Sequence, residues 1–357
     1  MVKLPRRLYY AYPLGKKISF RIVAEQYINI LAKKYKVYRV AEETFRRWRP
    51  IKTFPVVIHP MIYLCINNKS TLDYLRLNQD FIIGFEVADT DHISELGVDI
   101  VNYADLLIVP SNFCRESYLN SGCKIPVEVV PHILDRVFYR KDIKPKHPFF
   151  IRLKEAKRKR NFVLMLFFLW HSGFRKGADL LREVYRELKK THKNLYLVVK
   201  ISNIEDPYLR GLLKEGCLVI RGWLKQEDIV ALYDVCDIYP LFSRGGGFEL
   251  NGLEALSRGE IVIAADKGSW IDYLPREFLV PTRGKVKIFR DNLPSVIHDG
   301  YGYEIDVDKA VDKIHNILND LSEWKAKARY YAKIVRERFS EKRVGERLIN
   351  LFEKYIE

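Results

Sequence analysis

Residues 243–266 read SRGGGFELNGLEALSRGEIVIAAD, and this stretch decides the fold. It joins an apolar run ending at Phe242 to a run of helical period over 250–257 and then to a second apolar run over 260–265. Three consecutive glycines, Gly245, Gly246 and Gly247, let the backbone turn and approach a ligand without steric cost. The helix that follows opens with unpaired N–H groups and the positive end of its dipole, which suit phosphate or sugar hydroxyls. Glu254 falls about one turn into that helix, placed to accept hydrogen bonds from a diol. A strand, glycine loop, helix and strand in succession form the repeating unit of a parallel sheet covered by helices.

The same alternation extends in both directions. Strands are expected over 162–169, 195–201, 218–220 and 238–242, with helices over 179–190 and 226–236 between them. In the first half, strand candidates fall at 8–12, 36–40, 56–59, 81–85, 106–109 and 127–130. Phe20, Val23, Ala24, Tyr27, Ile28 and Leu31 mark an amphipathic helix directly after the first of these. From Val307 onward the pattern is helical. The sharpest break in composition is at 152–160, with 6 basic residues in nine, so a boundary is expected there: one domain over 1–155 and another over 156–340. At roughly 150 residues per domain, the 357-residue length agrees with two. The fold class read from this pattern is α/β, with two Rossmann-like, doubly wound domains.

Composition narrows the function. A hydrophobic share of 48% and a charged share of 30% exclude a disordered chain. The longest apolar run, at 162–170, is half the length of a membrane-spanning helix. Five scattered cysteines without a C-x-x-C pair argue against a disulfide framework and a structural zinc site, and for a reduced, cytoplasmic protein. The formal charge of +16 asks for an anionic partner. Arg6, Arg7, Lys16, Lys17, Arg21, Lys33, Lys34, Arg46, Arg47 and Arg49 crowd the first fifty residues and suit the inner face of an anionic membrane. No zinc-finger, basic-zipper or ribonucleoprotein signal accompanies the charge, which ranks nucleic acid low among partners.

Five ordered blocks resemble the family 4 glycosyltransferases, which have the GT-B fold. Phe248, Leu250, Leu253–Leu256, Gly259 and Asp266 resemble that family's EGFGLPxLEAMAxGxPVVAsD block. Arg221-Gly222 with Glu227–Asp237, Phe174–Leu181, Tyr103–Ser111 and Val129–Asp135 resemble four blocks upstream of it. The resemblance implies retaining transfer from a UDP- or GDP-linked sugar held in a cleft between the two domains. It also implies a last helix, about 341–357, returning to the first domain, and a glycan or lipid-linked acceptor. No metal or other cofactor is expected beyond the nucleotide-sugar co-substrate. Carried over residue by residue, Lys176, with Arg175 beside it, neutralises the donor diphosphate, and Glu254 holds the ribose. Gly246, Gly247, Phe248, Glu249 and Leu250 lie against the transferred sugar. Gly15, Asp89, His92 and His132 are candidates for the acceptor or phosphate loops, and His59 stands at another strand end. Asp89-Thr90-Asp91 spells D-x-D but reads here as a strand-end loop, not as a metal site.

Two departures stand out. The family pairs two glutamates eight positions apart, and the first of these falls on Gly246, with Glu249 three residues later in the same loop. The arginine that often precedes the lysine is replaced by Trp170 or His171, which leaves Arg175 and Arg244 as alternative sources of its charge. The first departure keeps a decayed nucleotide-sugar-binding protein open, the charge keeps a nucleic-acid-associated protein open, and a same-fold epimerase is a lesser enzyme alternative.

Overall fold

The computed structural model describes residues 6–16, 18–141, 143–170, 172–202, 206–289 and 296–356; Lys17 and His171 lie outside the described residues. The chain divides into two compact units, one of Met1–Ile133, Phe289–Gly300 and Phe339–Glu357, the other of Leu134–Ile288 and Tyr301–Arg338.

In the first unit the order is β1 (Arg6–Tyr12), α1 (Ser19–Leu31), β2 (Tyr35–Ala41), α2 (Glu42–Phe45), β3 (Val56–Ile58), α3 (Met61–Cys65), α4 (Lys69–Asn78), β4 (Ile82–Phe85), α5 (Glu95–Val101), β5 (Leu106–Val109), α6 (Asn112–Asn120) and β6 (Val127–Val129). The strands form one parallel sheet in the order β2-β1-β3-β4-β5-β6. The central strands β3, β4 and β5 are apolar at every position because both faces are buried, while β2 at the edge carries the exposed Lys36 and Arg39. Leu8, Tyr10 and Tyr12 of β1 join Val57, Leu106 and Ile108 in one core, while Ala11 joins Val56, Ile58 and Leu107 in the other. The first of these cores also takes Val23, Tyr27 and Leu31 from α1.

The second unit runs α7 (Pro148–Arg160), β7 (Val163–Leu169), α8 (Ala178–Thr191), β8 (Leu195–Ile201), α9 (Leu209–Lys214), β9 (Leu218–Ile220), α10 (Gln226–Val235), β10 (Ile238–Leu241), α11 (Leu250–Ser257), β11 (Ile261–Ala265), β12 (Leu279–Val280), β13 (Thr282–Lys287), β14 (Tyr301–Ile305), α12 (Val307–Asn319) and α13 (Leu321–Arg338). Its parallel sheet has the order β12-β11-β10-β7-β8-β9, and β13 and β14 pair separately as an antiparallel ribbon. The last helix, α14 (Glu341–Ile356), belongs to the first unit, where Val344, Leu348 and Phe352 complete the core around α1.

The division falls earlier than the basic run suggests. Residues 152–160 are the body of α7, and α7 is tied to the second unit through Lys157, whose Nζ lies 2.6 Å from Asp237 and 2.5 Å from the Val235 carbonyl. The run of cations belongs to a helix with a solvated face. The return of Phe289–Gly300 to the first unit has no signal in composition; it is made by backbone pairing, with Ser94 N–H donating to the Ile297 carbonyl at 2.8 Å.

Candidate functional site

In the second sheet, β7, β8 and β9 are laid down in one direction, and β10, β11 and β12 in the other. The crevice at the carboxyl ends of β7 and β10 is therefore a topological switch point, where open α/β sheets take their ligands. Two loops meet there. Arg244 N–H donates to the Arg175 carbonyl at 2.7 Å. Gly177, at φ +72°, passes so close to the Phe242 carbonyl that any Cβ would overlap it, which explains a glycine directly after Lys176. The loops lead into α8 and α11, so two helix N-termini open onto one crevice.

The structure brings Lys176, Arg175 and Glu249 together. Lys176 Nζ lies 2.7 Å from Glu249 Oε1 and 2.6 Å from Oε2, and Arg175 lies 3.5 Å from Oε1 while donating to the Gly245 carbonyl at 2.9 Å. The Glu249 side chain is only 4% exposed. It reaches this position from a left-handed backbone, φ +59°, at the N-cap of α11. That conformation favours glycine, which is the residue the family pattern places there.

The same geometry accounts for Gly246. A Cβ at 246 would overlap Glu249 Oε1, so the Glu249 carboxylate fills the space from which a side chain at 246 would start. The Glu249 carboxylate thus lies against Gly246 and beside Lys176. The Gly246 carbonyl accepts from Ser269 Oγ at 2.6 Å, and Tyr273 donates to the Glu249 carbonyl at 2.9 Å, fixing the loop from behind. Phe248 is buried with its ring 5.6 Å from that of Tyr273, whereas Leu250 is partly exposed.

Glu254 accepts from the Tyr233 hydroxyl at 2.8 Å, and Asn251 donates to the same hydroxyl at 3.1 Å. Burial pushes its carboxyl up to about 7, with Asp135 adding to the rise and the Tyr233 hydrogen bond opposing it. Arg244 does not supply the missing arginine. It is 2% exposed and spent on Asp179 at 2.7 and 2.8 Å, on Glu304 at 2.7 Å and on the Phe174 carbonyl at 2.6 Å. Its partners Asp179 and Glu304 come from α8 and β14, too far apart in sequence to be read as a cluster. Of the two alternatives, Arg175 is the one beside Lys176.

In the first unit the remaining candidates lie beyond the carboxyl ends of their strands. Gly15 follows β1, and a Cβ there would come no closer than 3.8 Å to Glu43, so no steric demand requires the glycine. Asp89 and His92 follow β4; Thr90 Oγ1 donates to the His92 carbonyl at 2.7 Å, and His92 Nδ1 is 3.1 Å from Ser121 Oγ. His132 follows β6, its Nδ1 3.5 Å from the Tyr27 hydroxyl, and burial lowers its pKa to about 4. His59 is stacked on Phe85 at 4.9 Å and pairs with the Tyr10 hydroxyl at 2.9 Å; burial, then His132, lowers it to about 3. Both histidines are therefore neutral near pH 7.

One acid escaped the sequence reading. Glu86, 7% exposed at the end of β4, accepts from Ile62 N–H at 2.7 Å and Val87 N–H at 3.0 Å, and burial pushes it up to about 7. A carboxylate directly after the apolar strand 81–85 was the available signal.

A family model described as Glycosyl transferases group 1 matches residues 163–299. Over 362 aligned residues, 99% of each chain, the sequence is 32% identical to "Uncharacterized protein 356" of Sulfolobus islandicus rod-shaped virus 1. It is also 32% identical, over 65% of this chain and 62% of the other, to a Sulfolobus islandicus filamentous virus (isolate Iceland/Hveragerdi) protein provisionally named glycosyltransferase 45. Among solved structures, Anabaena Alr3699/HepE in complex with UDP-glucose superposes with a TM-score of 0.71 at 12% identity, covering 98% of this chain and 99% of that one. This likeness establishes the GT-B fold.

Proposed function

We propose that this chain, which belongs with the rod-shaped-virus protein to one family of GT-B glycosyltransferases, moves a sugar from a UDP- or GDP-linked donor to a glycan or lipid-linked acceptor, retaining the anomeric configuration and using no metal. The observation that carries this reading is the Lys176–Glu249 pair, set between two helix N-termini at the switch point with Glu254 one turn into the second helix. A donor diphosphate arriving there meets the Lys176 ammonium, the Arg175 guanidinium and the N–H groups of both helices. These charges are in place before reaction, and they stabilise the leaving nucleoside diphosphate as its negative charge grows. Glu254 accepts from the ribose hydroxyls. Glu249 exchanges Lys176 for sugar hydroxyls and fixes the sugar by charge-assisted hydrogen bonds. Transfer then rests on positioning and on leaving-group electrostatics.

Gly15, Asp89, His92 and His132 of the first unit are the proposed acceptor residues, His132 offering a neutral hydrogen-bonding edge. Membrane attachment at the inner face of an anionic bilayer is the extension that the basic N-terminal stretch supports. Lys16, Lys33 and Lys34 pair with Glu42, Glu341 and Glu353, and Arg6, Arg46, Arg47 and Arg49 are further exposed cations of that stretch. No helix among the described residues is long and apolar enough to cross a membrane.

The test is a panel of UDP-, GDP- and ADP-sugars scored first for thermal stabilisation of the full chain, because a ligand of the folded state raises its apparent stability. The stabilising donor is then followed by proton NMR for release of the nucleotide and for the anomer formed. Stabilisation by a donor with retained product is expected. No stabilisation by any nucleotide sugar overturns the reading.

A further inference from the structure

The antiparallel ribbon of β13 and β14 lies outside the site described above. Its strands read TRGKVK and YGYEI, three cations and two tyrosines against one acid. The register sets Lys285 opposite Tyr303 and Lys287 opposite Tyr301, and directly opposed residues share one face of a ribbon. Lys285 Nζ lies 5.7 Å from the centre of the Tyr303 ring, and Lys287 Nζ 5.4 Å from that of Tyr301. A third ammonium, that of Lys267 in the loop after β11, stands 5.5 Å from the Tyr303 ring. Lys267, Lys285 and Tyr301 are exposed, Tyr301 at 49%.

The nearby acids have other partners. Glu304 is held by Arg244 Nε at 2.7 Å and by Arg283 Nε at 2.8 Å. Asp266, next to Lys267, accepts from Thr282 N–H at 3.0 Å, and Asp306, just past β14, caps α12 by accepting from Lys309 N–H at 3.0 Å. The ribbon is also anchored. Tyr303 N–H donates to the Arg244 carbonyl at 2.7 Å, and Gly302 passes so close to that carbonyl that any Cβ would overlap it. Gly302 alternates with Tyr301 and Tyr303, so the ribbon packs by its glycine side and turns its lysine–tyrosine side outward.

We propose that this outward face binds single-stranded nucleic acid. Its charge suits a polyanion, whose counterions the lysines displace. The alternation of ammonium and ring selects nucleic acid among polyanions, because a base stacks on a ring while the adjoining phosphate meets a cation. Successive residues on one face of a strand stand ~7 Å apart, close to the spacing of phosphates along an extended single strand. A duplex keeps its bases stacked on one another and offers this face only phosphate, and an anionic bilayer offers no bases. A lysine over an exposed tyrosine is a weak contact, given up when a phosphate draws the ammonium aside and a base takes the ring. No local motif announces the surface, because its lysines and tyrosines meet only through the pairing of two strands.

The test is fluorescence anisotropy of the full chain with a labelled oligodeoxythymidylate of about 16 nucleotides, titrated across a salt series. A duplex of equal length and vesicles of phosphatidylglycerol are run beside it. The variants are Tyr301→Ala, the double variant Lys285→Ala, Lys287→Ala, and a control, Arg46→Ala, Arg47→Ala, that removes equal charge elsewhere; melting curves confirm folding. The wild type should bind the single strand more tightly than the duplex. Tyr301→Ala should lose about 5- to 150-fold in affinity with the salt slope unchanged. The lysine double variant should lower the slope of log affinity against log salt by about 1.4, at about 0.7 per phosphate contact. The control should keep most of the affinity. No binding by the wild type, a duplex bound as tightly as the single strand, full affinity in Tyr301→Ala, or a control as impaired as the lysine variant would each overturn the proposal. Ribbon variants that weaken vesicle binding and spare the oligonucleotide would assign the face to a bilayer and also overturn it. The donor reading stands in every case, since no arm uses a nucleotide sugar.

Discussion

Glu249→Gly is the substitution whose outcome the site geometry specifies most closely. The wild-type residue holds a left-handed backbone that costs a non-glycine residue roughly 1–2 kcal/mol, so glycine removes that strain. It also removes a 4%-exposed carboxylate from Lys176 and Arg175, whose own side chains are 19% and 11% exposed. Removing one partner of a buried pair costs about 3–5 kcal/mol. The net expectation is a loss of about 1–4 kcal/mol, roughly 2–16 °C in Tm at ~2–4 °C per kcal/mol for a unit of this size. Gly246→Glu alone places a side chain where the Glu249 carboxylate sits and should also destabilise. The double variant Gly246→Glu, Glu249→Gly returns the carboxylate to the position the family pattern gives it, on a relaxed backbone. It should recover most of the lost Tm and of the donor turnover. The assay is differential scanning calorimetry beside nucleotide release from the best donor. An unchanged Tm and unchanged turnover in Glu249→Gly, or a double variant no better than the single, would refute a carboxylate at 249 standing in for one at 246.

Three further outcomes follow from the same structure. Glu254 is held protonated up to about pH 7, so nucleotide affinity should rise as pH passes upward through 7 and should lose that rise in Glu254→Gln, as read by titration calorimetry at pH 5.5 to 8.5. Glu260 is 1% exposed with neither oxygen hydrogen-bonded among the described residues, and burial, then Asp237, raises its pKa well above the usual range. The folded chain therefore keeps a proton that the unfolded chain releases near 4.5, and this group's contribution to stability falls as pH rises above that value. Glu260→Met should remove that slope and stabilise the chain by about 1–3 kcal/mol at pH 8, as read in denaturant melts; an unchanged pH profile counts against it. Anionic vesicles should sediment the protein at low salt and release it as the ionic strength rises, while neutral vesicles should not bind it; equal binding to both contradicts the membrane extension.

Most strands were legible because both sheets are parallel and their central strands are buried on both faces. The runs 106–109, 195–201 and 218–220 coincide with β5, β8 and β9, and the helix 250–257 coincides with α11. Local pattern was enough there, since a strand in a helix-covered parallel sheet is dominated by apolar residues. The site was legible as a loop and a helix start but not as a set of contacts. Nothing local states that Glu249 would fold back over Gly246, because that depends on one left-handed residue. The fate of Arg244 depends on Glu304, sixty residues away on a ribbon that the sequence reading did not anticipate. The basic run 152–160 is the body of α7 and not the boundary expected there, because charge density reports solvent exposure, which an exposed helix face also has.

The central claim is that Lys176 receives the diphosphate of a nucleotide-sugar donor, and it is tested most directly by titrating UDP and GDP into the full-length wild type and Lys176→Ala. Both short contacts of Lys176 Nζ are to Glu249, whose carboxylate keeps Arg175 at 3.5 Å in the variant, so a lower Tm is expected and a melting curve verifies that the variant is folded at the assay temperature. Measurable binding of at least one nucleoside diphosphate by the wild type is expected. Affinity in Lys176→Ala should fall at least tenfold (about 1.4 kcal/mol), and donor turnover by about a hundredfold or more. Equal affinity and equal turnover in a folded Lys176→Ala variant would contradict the claim.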